Sequence, residues 1–145
     1  MIDTATALRT AYVQCLSGLT VNGTAVKVYD TQAPDTAADP KLVITSVTAT
    51  GDNTKTTFGQ EVELNLSAVT TGAGNQIGFK RSEDVLNAAL DRILPAPGEH
   101  GLPQQPGLNI YGVSLVTTFP LSAASGGVIL YQRIATLRHL IHETT

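Results

Sequence analysis

Residues 61–69 of this chain read EVELNLSAV, an almost uninterrupted alternation of polar and apolar side chains. Because successive side chains of a β-strand point to opposite sides of its sheet, this pattern predicts a half-buried strand. Val62, Leu64 and Leu66 would face one way, and the polar residues up to Ser67 would face the other. Such a strand needs neighbouring strands and a covering layer, which the rest of the chain must supply.

Two segments carry apolar residues at helical spacing, Ala5 to Leu19 and Ser82 to Leu94. Asp3 or Thr4 can cap the first helix, and Ser82 is predicted to cap the second. Two acidic residues follow Ser82 directly, where negative charge suits the helix dipole. The proline that follows the second segment ends that helix.

Other apolar runs predict strands, separated by turn signals. The predicted strands are Ala25 to Tyr29, Lys41 to Thr50, Glu61 to Thr71 and Asn109 to Phe119. An Asn-Gly pair at residues 22–23 predicts a tight turn before the first of them. On the last, we expect Tyr111, Val113, Leu115 and Phe119 to share one face, and Pro120 to Gly127 to form a turn.

Residues 128–143 fit two structures. Apolar residues recur at helical spacing from Leu130 to Ile141, whereas the apolar run from Val128 to Tyr131 suits a strand that follows a hairpin. Periodicity does not decide between them. We predict a strand, partly because the family resemblance described below has one at this place.

Together these elements predict one α+β domain spanning residues 1–145, a length that fits a single domain. The order is α-β-β-β-α-β-β. The predicted architecture is an antiparallel sheet of about four to five strands with both helices packed on one face. Residues 95–107 are rich in proline and glycine and are predicted to form a stiff, irregular excursion.

The composition excludes several classes of protein. Only 14% of residues are charged, the net charge is -3 and Lys80-Arg81 is the one adjacent basic pair, so phosphate-driven binding of nucleic acid is not expected. The single cysteine excludes a disulfide scaffold. Because no signal peptide or bilayer-spanning stretch is visible, we expect a soluble protein made in a cytoplasm, without a membrane partner.

No pattern in the sequence supports an enzyme. The glycines between Gly72 and Gly78 lack the spacing of a phosphate-binding loop. His139, His142 and Glu143 lack the further ligands that a metal site needs. The two histidines would share a face of a helix but lie on opposite faces of a strand, and we expect exposed histidines near a chain end. We therefore predict no enzymatic activity, no cofactor and no metal.

Three long polar connections remain: Gly51 to Gly59, Gly72 to Lys80 and residues 95–107. Long irregular loops in a small domain are commonly functional or disordered. In a chain without a catalytic cluster, their simplest use is contact with other subunits. The predicted subunit-interface residues are Lys55, Phe58, Glu61, Glu63, Asn75, Lys80 and Arg81.

The order of the segments resembles the tail terminator, or tail completion, family of long-tailed bacteriophages. The similarity lies in order and pattern rather than in a diagnostic set of residues. The similar pieces are the helix at 5–19, VKVYD at 26–30, PKLVI at 40–44, FGQEVELNL at 58–66, the helix at 82–94 and YQRIATLRHLI at 131–141. Residues 95–107 are longer than the usual connection of this family.

The resemblance implies a structural virion protein of the tail, assembled in the host cytoplasm. It implies a ring that caps the tail tube and provides the surface for head–tail joining. The implied partners are copies of this chain in a closed ring, expected to be a hexamer, the tail tube protein and a head-completion or neck protein. DNA would only pass through the lumen, which the acidic balance suits. The alternatives are a neck or head-completion protein, a tail-tube subunit, or a small metal- or ligand-binding enzyme.

Overall fold

The computed structural model describes residues 2–32, 39–53, 58–72 and 78–144. The α+β class is confirmed, and the order α-β-β-β-α-β-β holds once the small β1–β2 hairpin is set aside. The elements are α1 (Ala5–Cys15), β1 (Thr20–Val21), β2 (Thr24–Ala25), β3 (Lys27–Asp30), β4 (Lys41–Gly51), β5 (Gly59–Gly72), α2 (Lys80–Ile93), β6 (Leu108–Ser125) and β7 (Val128–Glu143).

Five strands form one sheet in the order β3-β4-β5-β7-β6, and β1 pairs with β2 separately. All neighbours in the sheet are antiparallel except β3 and β4, which run parallel with Lys27 opposite Lys41. The prediction of a wholly antiparallel sheet is therefore wrong for one pair. β3 and β4 begin at the same end of the sheet, whereas alternating antiparallel strands would begin at opposite ends.

The alternation on β5 places one face of the sheet beneath both helices, as predicted. Val62, Leu64 and Leu66 are completely buried. They belong to one core cluster with Tyr12 of α1 and Leu86 of α2. Burying an aliphatic side chain of this size contributes about 1.5–3 kcal/mol, so this face holds the two layers together. We call it the helix side of the sheet and the opposite face the outer side.

The ends of α1 and the turn after it follow the local sequence signals. Asp3 Oδ1 accepts a hydrogen bond from the first backbone N–H of the helix at 3.0 Å. The helix ends at Cys15, before the predicted end at Leu19, and Gly18, with φ of 71°, lets the chain turn away. Asn22 and Gly23 have φ of 51° and 80° and form the predicted tight turn between β1 and β2.

The second helix begins at Lys80, before the predicted cap. Ser82 is buried in its first turn, and its hydroxyl donates to the backbone oxygen of Phe79 at 2.8 Å. The prediction of Ser82 as the cap is wrong because its side chain bonds back to a preceding carbonyl instead of accepting from a free N–H group. In the last turn, Arg92 donates to the backbone oxygen of Ser17 at 2.8 Å and ties α2 to the end of α1.

The last two strands form a long hairpin. Val128–Glu143 is a strand, so the prediction for the ambiguous segment is confirmed. β6 is longer than predicted, and the turn shrinks to Gly126 and Gly127, with φ of 58° and 80°. The predicted turn starting at Pro120 is wrong, because β6 lies at the edge of the sheet, where a strand tolerates proline.

Two β-bulges, around Tyr111 and Val116, redistribute the side chains of β6. An inserted residue moves the following side chains to the opposite side of the sheet. Val113 and Leu115 lie on the helix side, opposite buried residues of β7. Tyr111 and Phe119 lie on the outer side. The prediction of a single face for these residues is therefore wrong.

Candidate interaction surface

The edge strand β6 exposes a row of large apolar side chains. In the part of the chain that the structure describes, five of the eight exposed large hydrophobic residues lie on this strand, each 41–52% exposed. They are Tyr111, Leu115, Val116, Phe119 and Leu121. An edge strand also presents unpaired N–H and C=O groups along its length, which makes it a template for pairing with another chain.

The region around β6 lacks charge. No Asp, Glu, Lys or Arg occurs from His100 to Gln132. Soluble proteins usually protect a long edge strand with charged side chains, and here the described part of β6 beyond Ile110 has only two bulges and Pro120 for protection. A long, apolar and uncharged edge is typical of an interaction surface. The sequence prediction placed no interface residue on β6, although this charge-free stretch is the signal that marks it.

The first part of β6 is covered by the chain's own Pro- and Gly-rich segment. The backbone N–H of Ile110 donates to Gln104 Oε1 at 2.8 Å, and Gln104 Nε2 donates to the Ile110 oxygen at 3.1 Å. His100 Nε2 lies 2.9 Å from the same carbonyl oxygen and donates to it. Residues 95–107 therefore act at this point as a short substitute strand.

The rest of the strand has no such cover. Residues 112–125 have β7 on one side and no neighbouring strand on the other among the described residues. We call residues 112–125 the open edge. It carries four of the exposed apolar side chains, from Leu115 to Leu121, on both sides of the sheet.

The covering segment is held in place by close contact with α2. The backbone N–H of Gly101 donates to the oxygen of Ile93 at 2.9 Å. A Cβ atom on Gly101 would lie 2.0 Å from the backbone oxygen of Arg92, so only glycine fits. The segment is thus anchored to the end of α2, and the boundary between covered and open edge is set by the fold.

A groove lies beside the open edge on the helix side of the sheet. It has a volume of about 390 Å³, and its lining includes Leu94, Pro95, Pro97 and Val113 together with one charged residue, Glu99. Leu115 follows Val113 on the same side and is 42% exposed. An added strand could pair with the open edge and place alternate side chains in this groove, as in β-strand addition.

The opposite edge of the sheet, β3, has a cleft of its own. This cleft has a volume of about 220 Å³ and lies between α1 and β3, with Val13, Leu16, Val26 and Val28 in its lining. Val13 is 45% exposed. Because α1 covers the helix side, this cleft opens on the same side of the sheet as the groove beside β6.

Three of the predicted interface residues lie near the start of β5. Phe58 is 48% exposed, and Glu61 and Glu63 point to the outer side. Glu61 Oε1 lies 3.5 Å from Arg138 Nη1 of β7. Both side chains are over 40% exposed, and such a surface pair contributes only about 0–1 kcal/mol.

Two more predicted interface residues begin α2. Lys80 Nζ lies 2.9 Å from Asp84 Oδ2, and the Lys80 side chain is 86% exposed. Arg81 Nη2 lies 3.2 Å from Asp39 Oδ2, and its Nη1 donates to the backbone oxygen of Thr71 at 3.3 Å. Arg81 therefore ties α2 to the end of β5 within one subunit.

The structure does not bring the predicted interface residues together. Phe58 and the two glutamates lie at the beginning of β5, whereas Lys80 and Arg81 lie beside its end. At about 3.3 Å per residue, the two groups are roughly 30 Å apart. Lys55 and Asn75 lie outside the described residues. A subunit-contact role for any of these residues stays a prediction.

Burial shifts the pKa values of His139 and Tyr12, which lie in the interior, and raises the pKa of the half-buried Cys15 thiol. His139 is fully buried on the helix side, which corrects the expectation of an exposed histidine. Its Nδ1–H donates to the Val62 oxygen at 2.9 Å, since a carbonyl can only accept, and its Nε2 accepts from the Tyr12 hydroxyl at 2.6 Å.

Burial sets the protonation of this pair. It lowers the pKa of His139 to about 4; the hydrogen bond to Val62 opposes this decrease and the charge of His100 adds to it. Burial also raises the pKa of Tyr12 well above its usual value. The pair is therefore neutral at physiological pH, where it serves as a buried link between α1 and the sheet.

Metal ligands are scattered over the molecule. Within residues 2–32, 39–53, 58–72 and 78–144, no three His, Cys, Asp or Glu side chains are grouped so that they could hold a metal ion. His139 and His142 lie on opposite sides of β7, as predicted for a strand. Neither of the two described helices has the length and apolar character needed to cross a membrane.

Comparison with known proteins shows a likeness in fold. No protein-family model matches the chain, and no curated protein matches it. Among solved structures, the chain is similar to one from the "Virion of native gene transfer agent (GTA) particle". The TM-score is 0.75, the sequence identity is 20%, and the match covers 98% of this chain and 99% of that chain. The same fold, over nearly the same length, thus occurs in that virion.

Proposed function

We propose that this chain is a structural virion protein that acts as a tail terminator, forming a ring that caps the tail tube. The open edge of β6 carries the proposal, because a long apolar edge without charge suits lasting contact between subunits. The shared fold with a chain of a gene transfer agent virion supports a place in a virion. The segment order, which resembles the terminator family, supports the tail end as that place.

In this proposal the first partner is the chain itself. A closed ring, expected to be a hexamer, requires contacts between two different surfaces of neighbouring copies. The tail tube protein and a head-completion or neck protein would contact the two faces of the ring. DNA would pass through the lumen without being held, because the chain has a net charge of -3 and few basic residues to bind phosphates. Assembly would take place in the host cytoplasm.

Assembly state tests the function. Sedimentation velocity over a wide concentration range, with electron microscopy of the protein mixed with tail tubes, should show one closed ring that sits on the tube end and stops growth. Open-ended polymers would instead favour a tail-tube subunit. A ring that binds only the head side would favour a neck or head-completion protein. A monomer that places no ring on tubes contradicts the proposal.

The alternative of a small metal- or ligand-binding enzyme has a separate test. Elemental analysis of the purified protein would detect a bound metal ion. A stoichiometric metal, together with failure to bind tail tubes, would favour this alternative over a virion role.

A further inference from the structure

We propose that neighbouring copies join by extending one sheet across the subunit boundary, with the open edge of β6 in one copy paired to β3 of the next. Closure of such a chain of copies into a ring rests on the proposed function. The contact surface itself follows from the geometry of the two sheet edges, which lie at opposite ends of the strand order β3-β4-β5-β7-β6.

The directions of the two edge strands suit this contact. β3 runs parallel to β4, and each later pair in the sheet is antiparallel, so β6 runs opposite to β3. A second copy in the same orientation therefore presents its β3 antiparallel to β6. The contact joins two different surfaces. Two joined copies still have one free β3 edge and one free open edge, so the contact can repeat from copy to copy.

The clefts at the two edges lie on the same side of the sheet, and this stays so when two sheets join edge to edge. The strand registers place Val28 level with Pro120, about four positions from Leu115 and about six from Val113 in the groove. A neighbour shifted by about four residues along the strand therefore brings its cleft with Val13 and Val28 beside Leu115. Leu115 projects on this side from the open edge and is 42% exposed. With that shift Leu115 can enter the neighbour's cleft, which supports a second copy as the partner.

Charge also favours a second copy. Each copy carries a net charge of -3, so copies repel each other at most orientations. The open edge has no charged residue, and β3 has one of each sign, Lys27 and Asp30. Asp30 Oδ1 already lies 3.0 Å from Arg9 Nε. The two paired strands thus bring no net charge together, and the charged side chains that line the two clefts, Lys27 on β3 and Glu99 beside the open edge, are opposite in sign.

The free energy of association must come mainly from side chains rather than from backbone hydrogen bonds between the two strands. β3 spans only Lys27–Asp30, so it can pair with a small part of the open edge. Most of the affinity must then come from burying apolar side chains such as Leu115. Leu115→Lys should weaken self-association at least about tenfold. Ile2→Lys is the matched control, because Ile2 is 48% exposed and lies beside Gly107 and Gln60, outside both the open edge and β3, and it should leave association unchanged.

Cysteine cross-linking tests which surfaces meet. In a Cys15→Ser background, one batch of protein carries Leu115→Cys and a second carries Val13→Cys. A short bismaleimide should cross-link the mixed batches into a dimer and leave each batch alone uncross-linked. A chain with both cysteines should give a ladder that ends at the ring. Circular dichroism and melting temperatures show that each variant is folded.

The cross-linking and association results distinguish the proposed contact between β6 and β3 from other contacts between copies. Cross-linking between the two batches, together with loss of association in Leu115→Lys, supports the joined sheet. Cross-linking of the Leu115→Cys batch with itself overturns it in favour of a two-fold contact between β6 strands. Rings on tail tubes without any of these cross-links overturn the surface and leave the terminator function standing. No association at any concentration and no ring on tubes overturns both.

Discussion

The buried Tyr12–His139 pair predicts how stability depends on pH. In the unfolded chain a histidine has a pKa near 6.5, whereas burial lowers the pKa of His139 in the folded protein to about 4. Between these values the unfolded state binds a proton that the folded state does not. The free energy of unfolding must therefore fall as pH decreases through this window.

The size of the effect follows from the gap between the two pKa values. One pH unit corresponds to about 1.4 kcal/mol, so the gap amounts to roughly 3 kcal/mol. The side chain of His139 is completely buried, so solvent screening does not reduce this figure further. The contribution is fully present above pH about 6.5 and lost at pH about 4. A loss of this size is a large part of the 5–15 kcal/mol that is usual for a domain, about a fifth to three fifths.

Urea unfolding at a series of pH values measures this dependence. His139→Gln removes the titrating group, so the part of the slope between pH about 6.5 and about 4 that belongs to it should vanish. The variant should also lose about 1–3 kcal/mol at neutral pH, because Tyr12 and Val62 lose a buried partner. The test is the change in the pH dependence of the free energy of unfolding, and not the loss of stability at neutral pH.

His142→Gln is the matched control. The substitution is chemically the same and lies three residues away on β7, but His142 is on the outer side and only partly buried. For His142→Gln, the slope of the free energy of unfolding against pH should match that of the natural protein. If His139→Gln keeps the full acid slope, the buried neutral histidine is not its source and the reasoning fails.

Three further substitutions test other parts of the fold and of the surface. Gly101→Ala would place a Cβ atom 2.0 Å from the Arg92 oxygen and should lower the free energy of unfolding by about 1–3 kcal/mol, measured by urea unfolding. Gln104→Ala removes the side chain that pairs with the backbone of Ile110, so amide exchange at Ile110 should become faster, with a loss of about 1 kcal/mol. Phe58→Asp should impair assembly, seen by sedimentation, while melting shows a folded domain, since Phe58 is 48% exposed.

Controls accompany these substitutions. Gly51→Ala suits the first, because an added Cβ there would meet only a side-chain atom at 3.9 Å. Equal stability losses in both alanine variants would contradict the contact with Arg92. Unchanged exchange at Ile110 would show that Gln104 does not cover the edge. Normal assembly of Phe58→Asp would remove this residue from the interface.

Strong periodicity made the body of the fold predictable. The alternation at residues 61–69 correctly assigned the buried side of β5, and the Asn-Gly pair correctly located the turn between β1 and β2. Both signals are local, because they depend on side-chain direction and on positive φ within a few residues. The strand assignment of residues 128–143 needed the family resemblance in addition, since local spacing there also fitted a helix.

The errors concern features that depend on distant parts of the chain. Pro120 indicated a turn, yet it lies within β6, because this strand is at the edge and its neighbour is β7 alone. The parallel pairing of β3 with β4 depends on the path of a connection, which local propensity does not determine. The bulges at Tyr111 and Val116 moved side chains between faces in a way that alternation cannot indicate.

The candidate surface was missed for a related reason. Sequence reasoning looked for contact residues in long polar loops, whereas the structure shows the largest group of exposed apolar side chains on a strand. Whether a strand is central or at an edge is a property of the whole sheet. The lack of charge from His100 to Gln132 was visible in the sequence, but a buried central strand would look the same.

One part of β6 is covered by residues 95–107 and the rest is uncovered, and this difference links the fold to the proposed assembly. At Ile110 the chain uses a side-chain amide and an imidazole to satisfy both backbone groups of the edge. The segment that supplies them needs Gly101 in tight contact with α2, so this cover constrains the sequence closely. If exposure of β6 were merely tolerated, charged residues beyond residue 112 would protect it with far less constraint. An edge that is closed with such specific contacts at one end and left apolar along the rest is best explained by a partner strand at the open part. Leu115→Lys places a protective charge there, and full association of that variant would show that the edge has no such partner.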